Sequence, residues 1–269
     1  MSIAPDLIKS PSISVADEDL RHSLRNPGEA GSIHSWELVT SVDGPGSRLT
    51  IFLAGCPLRC LYCHNPDTWQ MRRGERHTLD DVMAKVRRYA PVLQATGGGV
   101  TLSGGEPLLQ AQFVESIFAE CKKLGIHTAL DTSGFLGGRA TNQLLNDTDL
   151  VLLDVKSGLP DVYRKATGRP LQPTLDFGRR LSAQGKKIWA RFVLVPGLTD
   201  GEDNVEAVAD YLASLDTVER VEVLPFHQMG KDKWAELDEA YALADTKPPS
   251  DELQERVRAQ FARRGLTVF

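Results

Sequence analysis

Short apolar runs recur along this chain, separated by amphipathic stretches, and that rhythm restricts the folds open to it more than any single motif does. The runs are LTIFLAG (49–55), GVTLSG (99–104), IHTALD (126–131), DLVLLDV (149–155), KIWARFVLV (187–195) and VERVEVLPF (218–226). Helical patterns fill the intervals: TLDDVMAKVRRYAPVL, EPLLQAQFVESIFAECKKLG, RATNQLLN, a segment around PTLDFGRRLSAQG, and GEDNVEAVADYLASLD. Several open on Asp or Thr as N-caps, and Gly125 and Gly185 stand where C-caps are wanted. A last helical pattern, SDELQERVRAQFARRG, precedes a terminal LTVF. Strand–helix alternation of this kind implies an α/β fold with a parallel sheet and right-handed crossovers. About six units give either an open doubly wound sheet or an incomplete (β/α) barrel, and in both the chemistry gathers beyond the carboxyl ends of the strands.

The unusual residues of the sequence fall at those ends. Strand one runs into Gly55-Cys56, strand two into Ser103-Gly104-Gly105-Glu106, and strand three into Asp131-Thr132-Ser133-Gly134. Strand four ends in Asp154-Val155-Lys156, strand five in Val195-Pro196-Gly197, and strand six in Pro225-Phe226-His227. Polar, glycine-rich turns are ordinary after a strand. Acids, a lysine, a histidine and a cysteine cluster converging on one rim are not.

At 269 residues the chain is ordinary for one barrel-like domain. A net charge of −5 argues against a partner held by bulk attraction to nucleic acid or anionic membrane. No apolar run approaches the ~20 residues that span a bilayer. Residues 1–31 are polar, rich in Pro, Ser and Gly, and without a sustained period. They read as a flexible extension to a domain over 32–269, and they lack the apolar segment of a secretory signal, so the expected location is the cytoplasm.

Three of the four cysteines lie within eight positions, in GCPLRCLYCHNPDTW (55–69). Structural disulfides are poor candidates in a reducing compartment, so the cluster points to a metal. Cys121, alone on a helical pattern, reads as a small core residue. Cys60-Leu-Tyr-Cys63-His64 spells the haem-attachment pattern, but haem gives Cys56 no role and usually requires export. Zinc needs four ligands in a tetrahedron, whereas the neighbours Cys63 and His64 diverge and no second ligand pair is evident. A C-x3-C-x2-C loop wraps three corners of an iron–sulfur cubane and leaves one iron without a protein ligand.

The C-x3-C-x2-C loop after the first strand resembles the radical S-adenosylmethionine enzymes. The longer frame, Asp43-Gly44-Pro45-Gly46 with Arg48, Phe52, Gly55 and then Asn65-Pro66-Asp67-Thr68-Trp69, is similar to the activases of glycyl-radical enzymes. GGGVTLSGGEPLLQ, GIHTALDTSG, DLVLLDVKS, VPGLTD and LPFHQMGKDKW continue the resemblance over about residues 33–269. Many relatives carry a ferredoxin-like insert with further cysteines, but this chain passes from Cys63 to Gly97 with none. The short form most resembles the branch acting on pyruvate formate-lyase.

The resemblance implies an incomplete (β/α)6 TIM-like barrel of the radical SAM type. It also implies reductive cleavage of S-adenosylmethionine at a [4Fe–4S] cluster and removal of a glycine Cα hydrogen from the partner enzyme, with a one-electron donor such as flavodoxin. Cys56, Cys60 and Cys63 would ligate the cluster, with Tyr62 and His64 on the adenine side of the cofactor. Ser103, Gly104 and Gly105 would receive the methionyl ammonium, with Glu106 as its anionic partner. Asp131, Thr132 and Asp154 would share a monovalent cation, since two carboxylates facing one ligand repel unless a cation lies between them. Lys156 would also touch the cofactor, and His227 its ribose–adenine region. Asp43, Gly44, Gly46 and Arg191 would grip the glycine-containing peptide.

Ser103-Gly104-Gly105-Glu106 is not a phosphate loop, because G-x4-G-K-[ST] is absent there and elsewhere. Competing readings are an activase of another glycyl-radical enzyme or of anaerobic ribonucleotide reductase, and a small-molecule radical SAM enzyme. A non-catalytic iron–sulfur electron carrier would not need the rim motifs.

Overall fold

The computed structural model describes residues 28–40 and 42–269. One eight-stranded sheet has the order β3-β1-β2-β4-β5-β6-β7-β8. Its parallel part comprises β2 (Arg48–Leu53), β4 (Gly99–Gly104), β5 (His127–Thr132), β6 (Leu150–Asp154), β7 (Lys187–Leu194) and β8 (Val218–Pro225). These are the expected runs in the expected order. The sheet curls without closing, because its ends, β3 and β8, do not pair. Its six parallel strands follow one another in chain order, whereas a doubly wound sheet reverses its order at a switch point, so the incomplete barrel holds and the open doubly wound alternative falls.

Two strands were not anticipated. β1 (Ala30–Thr40) pairs antiparallel with β2 on one side and with β3 (Glu75–Thr78) on the other. Of the expected 1–31 extension, residues 1–27 lie outside the described residues, while Ala30 and Gly31 already belong to β1 and pair with Thr78 and His77.

The helices are α1 (Leu79–Ala95), α2 (Ala111–Lys123), α3 (Asn142–Asn146), α4 (Pro160–Thr167), α5 (Gln172–Ala183), α6 (Glu202–Ala213), α7 (Lys231–Glu236) and α8 (Asp251–Ala262); all but α4 and α7, which stand beside the cysteine loop, pack into the main core on the outer face. α4 and α7 were absent from the sequence reading. α1 starts with a capping box in which Thr78 and Asp81 satisfy each other's backbone N–H groups. α2 stops at a left-handed Gly125, where Ile126 N–H reaches the Cys121 carbonyl and Gly125 N–H that of Lys122.

Period-two alternation sorts the strands. Leu49, Ile51 and Leu53, Val100 and Leu102, Val151 and Leu153, Ala190, Phe192 and Leu194 join the helices in the main core. Cys121 lies in that core, fully buried, as expected. The alternate residues face the barrel interior. Low in it, Ala129, Leu150 and Leu152 pack with Trp189; one step higher the interior turns polar. The loop joining β1 to β2 forms the floor. The Asp43 carbonyl accepts from Thr101 Oγ1 at 2.7 Å, and fully buried Arg48 donates to the Thr101 hydroxyl and the Pro45 carbonyl.

Candidate active site

Beyond the strand ends lies a cavity of ≈ 470 Å³, within the range of small-molecule sites. Cys56, Cys60, Tyr62, Cys63, His64, Ser103, Gly104, Gly105, Asp131, Thr132, Asp154, Lys156, His227, Asp43 and Arg191 all line it. Residues from five of the six expected strand ends thus meet in one space; the fifth end, Val195-Pro196-Gly197, does not line it, and its strand contributes Arg191 instead.

The cysteine loop is pinned from outside the barrel. The N–H groups of Arg59 and Leu61 bond the Thr167 and Ala166 carbonyls at the end of α4, both at 2.9 Å. Arg169 Nε holds the Pro57 carbonyl at 2.7 Å, and Arg59 folds back to the Cys56 carbonyl at 2.7 Å. Gly55 and Cys56 donate to Thr68 and Trp69, closing the loop on itself. All three thiols are free. Burial pushes each upward, with neighbouring cysteines adding to the shift at Cys56 and Cys63; Cys63 reaches about 12. The thiolate is the metal-binding form, so the loop gathers three sulfurs in a place that disfavours their charge until positive charge arrives.

Among the described residues, no three His, Cys, Asp or Glu side chains converge on one point as a mononuclear site demands. A cubane takes each sulfur at a different corner, and three thiols around one cavity suit it. Tyr62 supports a further occupant, since its hydroxyl is buried without a hydrogen-bond partner among the described residues. The residues present fit a [4Fe–4S] cluster with a ligand beside it.

His64 and His227 stack with ring centroids 4.0 Å apart, inclined by 27°. Burial, then the neighbouring imidazole, lowers the His64 pKa, which favours a neutral, flat surface. Facing them is a charged layer. Arg191 on β7 meets Asp131 at 3.3 Å, Asp43 at 3.6 Å and Glu222 at 3.0 Å, and Glu222 also pairs with Arg220. Burial opposes the guanidinium charge, but Asp131, Asp154 and the other acids outweigh it and the net shift is upward. Asp131 also accepts from Ser103 Oγ at 2.6 Å. Burial, with Asp154 adding to it, still raises its pKa to about 6 despite Arg191. Lys156 pairs with Asp154 at 2.9 Å, and that attraction overcomes its own burial to hold the ammonium charged.

Three expected residues stand elsewhere. Glu106 does not line the cavity; it is 1% exposed, caps Leu108 N–H, and accepts from the Thr132 hydroxyl and from Ser133 N–H and Oγ. It anchors the turn after β5, and burial raises its pKa against those four hydrogen bonds. Gly44 and Gly46 do not line the cavity either. Gly46, in the left-handed region (φ +65°), lies on the opposite end of the sheet, where a Cβ would stand 2.5 Å from Gly98 N. Gly104 (φ +112°) admits backbone: a Cβ there would be 2.4 Å from Leu53 N and O.

The sequence reading gave no role to Glu222, Arg220, Ser133 or the wall residues Asn65 and Trp69. For the last three, position inside the DTSG and HNPDTW motifs was the available signal.

A Radical SAM superfamily profile matches residues 50–212. The chain is 43% identical over 241 residues to pyruvate formate-lyase 1-activating enzyme of Escherichia coli strain K12, covering 89% of this chain and 98% of that protein. It is 46% identical over 229 residues to pyruvate formate-lyase-activating enzyme of Staphylococcus aureus strain USA300, covering 82% and 91%. A crystal structure of a domain of pyruvate-formate lyase-activating enzyme from Bacteroides vulgatus ATCC 8482 superposes with a TM-score of 0.53 at 28% identity, over 64% of this chain and 98% of that one.

Proposed function

This chain belongs to the radical SAM superfamily and, within it, to the pyruvate formate-lyase activating enzymes, and from that premise we propose how its residues divide the work. Its reaction is the generation of a glycyl radical on pyruvate formate-lyase, with a [4Fe–4S] cluster and S-adenosylmethionine as cofactors. Bound together, these supply the electron and the 5′-deoxyadenosyl fragment that removes hydrogen from the glycine Cα. The observation that carries this reading is the meeting of three thiols with four other strand-end motifs around one cavity.

Cys56, Cys60 and Cys63 hold the cluster. Ser103, Gly104 and Gly105 receive the methionyl ammonium, without Glu106, whose carboxylate is fully engaged. Lys156 offers its ammonium to the cofactor carboxylate. Tyr62, His64 and His227 bound the adenine and ribose, the stacked imidazoles giving a flat wall. Asp131 and Asp154 bind a monovalent cation, with Thr132 beside them, its hydroxyl donating to Glu106. Asp43 and Arg191 position the glycine segment of pyruvate formate-lyase from the cavity floor, and exposed Val42, Leu224 and Met229 offer it apolar contact. A flavodoxin delivers the electron.

Anaerobic reconstitution with iron and sulfide tests the assignment. About 4 Fe per chain, 5′-deoxyadenosine on reduction with S-adenosylmethionine, and a glycyl EPR signal on adding pyruvate formate-lyase are expected. Stoichiometric zinc, or an intact reduced cluster that leaves the cofactor uncleaved, refutes the activity. A signal only with another glycyl-radical enzyme refutes the partner.

A further inference from the structure

The leg of the cysteine loop that carries Cys60 rests on α4, but the leg that carries Cys63 is held by a different part of the chain. After β8 the chain turns back over the loop and meets each of residues 63–65. His227 stacks on His64, and its carbonyl lies 3.3 Å from His64 Nε2. At Gly230 a Cβ would stand 2.8 Å from both Cα and O of His64, and 3.1 Å from the Cys63 carbonyl oxygen. The Gly230 φ of −87° is open to any residue, so the close approach, not the backbone conformation, asks for glycine. Trp234 of α7, buried and set edge-on to Trp69 with centroids 5.0 Å apart, donates its indole N–H to the Cys63 carbonyl at 2.9 Å. Lys233 donates to Asn65 Oδ1 at 2.8 Å and pairs with Asp67 at 3.0 Å, and Asp67 in turn meets His34 of β1 at 3.0 Å. Gln228 closes the segment at its base, its amide nitrogen lying within 3.1 Å of the Leu243, Ala244 and Thr246 carbonyls.

We propose that residues 227–234 form a clasp that sets the adenine wall of the cofactor site against the cluster, with Lys233 and Trp234 as its positioning residues. The inference rests on the assignment of Cys63 to the cluster and of His64 and His227 to the adenine and ribose. Cys63 and His64 are chain neighbours, so one stretch of backbone fixes both the last thiol and the first imidazole. The second imidazole, His227, belongs to the clasp itself. A grip on residues 63–65 therefore keeps the two rings stacked and in register with the thiols. Loosening it should spare the iron, which three thiolates hold, and weaken the cofactor, which needs both rings in place. Lys233 and Trp234 touch neither group; they act from behind, through Asn65, Asp67 and the Cys63 carbonyl.

The test uses the full-length, anaerobically reconstituted protein with its cluster oxidised, so that binding of radiolabelled S-adenosylmethionine is read without turnover. The Lys233 side chain is 36% exposed, and an ion pair so placed adds little to stability. K233M is expected to keep its iron and to bind S-adenosylmethionine about tenfold more weakly, with an apoprotein denaturation midpoint close to that of the wild type. K233R, which keeps donors for Asn65 and Asp67, is expected to recover most of the affinity. G230A removes no hydrogen bond and only sets a methyl group against His64, and it is expected to weaken binding in the same way. W234F, which frees the Cys63 carbonyl, is expected to follow; if it fails to fold, K233M and G230A decide. Wild-type affinity in iron-replete K233M or G230A overturns the proposal. So does a K233M defect that K233R leaves unrepaired, or one that comes with loss of iron or of apoprotein stability. A wild-type protein that takes up no four-iron cluster, or binds no S-adenosylmethionine, overturns the underlying assignment first, and this proposal with it.

Discussion

The cysteine loop and the charged layer of the barrel border the same cavity, yet they handle buried charge in contrary ways. In the layer, Asp43, Asp131 and Glu222 share the Arg191 guanidinium, Glu222 adds Arg220, and Asp154 has Lys156. Its charges are paired within the protein. In the loop, three thiols are gathered with their pKa values raised by burial, and the pull of Lys156 on Cys60 and Cys63 and of Arg59 on Cys60 does not reverse it. The layer is therefore part of the apoprotein's fold, whereas the loop is a receptor completed by what it binds. Substitutions in the two should separate stability from cofactor retention.

The largest effect on the fold belongs to the layer. Arg191→Met leaves Asp43 and Asp131 without their shared cation and Glu222 with Arg220 alone, and should cost the apoprotein about 3–5 kcal/mol in chemical denaturation. A loss comparable to a surface pair, below about 1 kcal/mol, would mean the acids find other partners and the contrast fails.

Next comes a pH dependence. Folded Asp131 keeps its proton to about 6, against 3.8 for an ordinary aspartate. Its contribution to stability is therefore complete below 3.8 and is lost as the pH rises through about 6. Over that window the wild-type apoprotein should lose about 2–3 kcal/mol relative to Asp131→Asn, which cannot titrate. Parallel stability curves for the two proteins would contradict this.

The smallest effect on stability belongs to the loop. Cys60→Ala removes one buried atom and should cost the apoprotein about 1 kcal/mol, while abolishing retention of the four-iron cluster. If iron stays at wild-type stoichiometry, Cys60 is not a ligand.

How legible these regions were follows from what each side chain faces. The parallel strands carry buried residues on both faces, so β2, β4, β5 and β6 stood out as apolar runs. β1 did not, because register shifts between Ile33 and Ser35 and between Leu38 and Thr40 break its alternation, and several of its side chains remain partly exposed. The rim was readable since motif residues sit at the strand ends, where composition is otherwise plain. Glu222 and Arg220 were missed for the opposite reason. VERVEV alternates like a strand with one wet face, but here the charged face looks into the barrel. Glu106 was misplaced because neighbours along the chain share a loop but not a direction; its carboxylate turns to Thr132 and Ser133. The indole pair lay beyond local reading, since Trp69 and Trp234 are joined only by the fold.

The unpaired ends of the sheet, at β3 and β8, carry a mechanical consequence. A closed ring has a fixed girth, and admitting a larger guest means breaking ladder hydrogen bonds. An arc changes its span by bending, with every rung intact. It also poses no threading problem, because a strand interior to another folded protein can be laid in from the side without a free end. For a catalyst whose target atom lies in mid-chain of a partner, an arc asks for no free end of that partner.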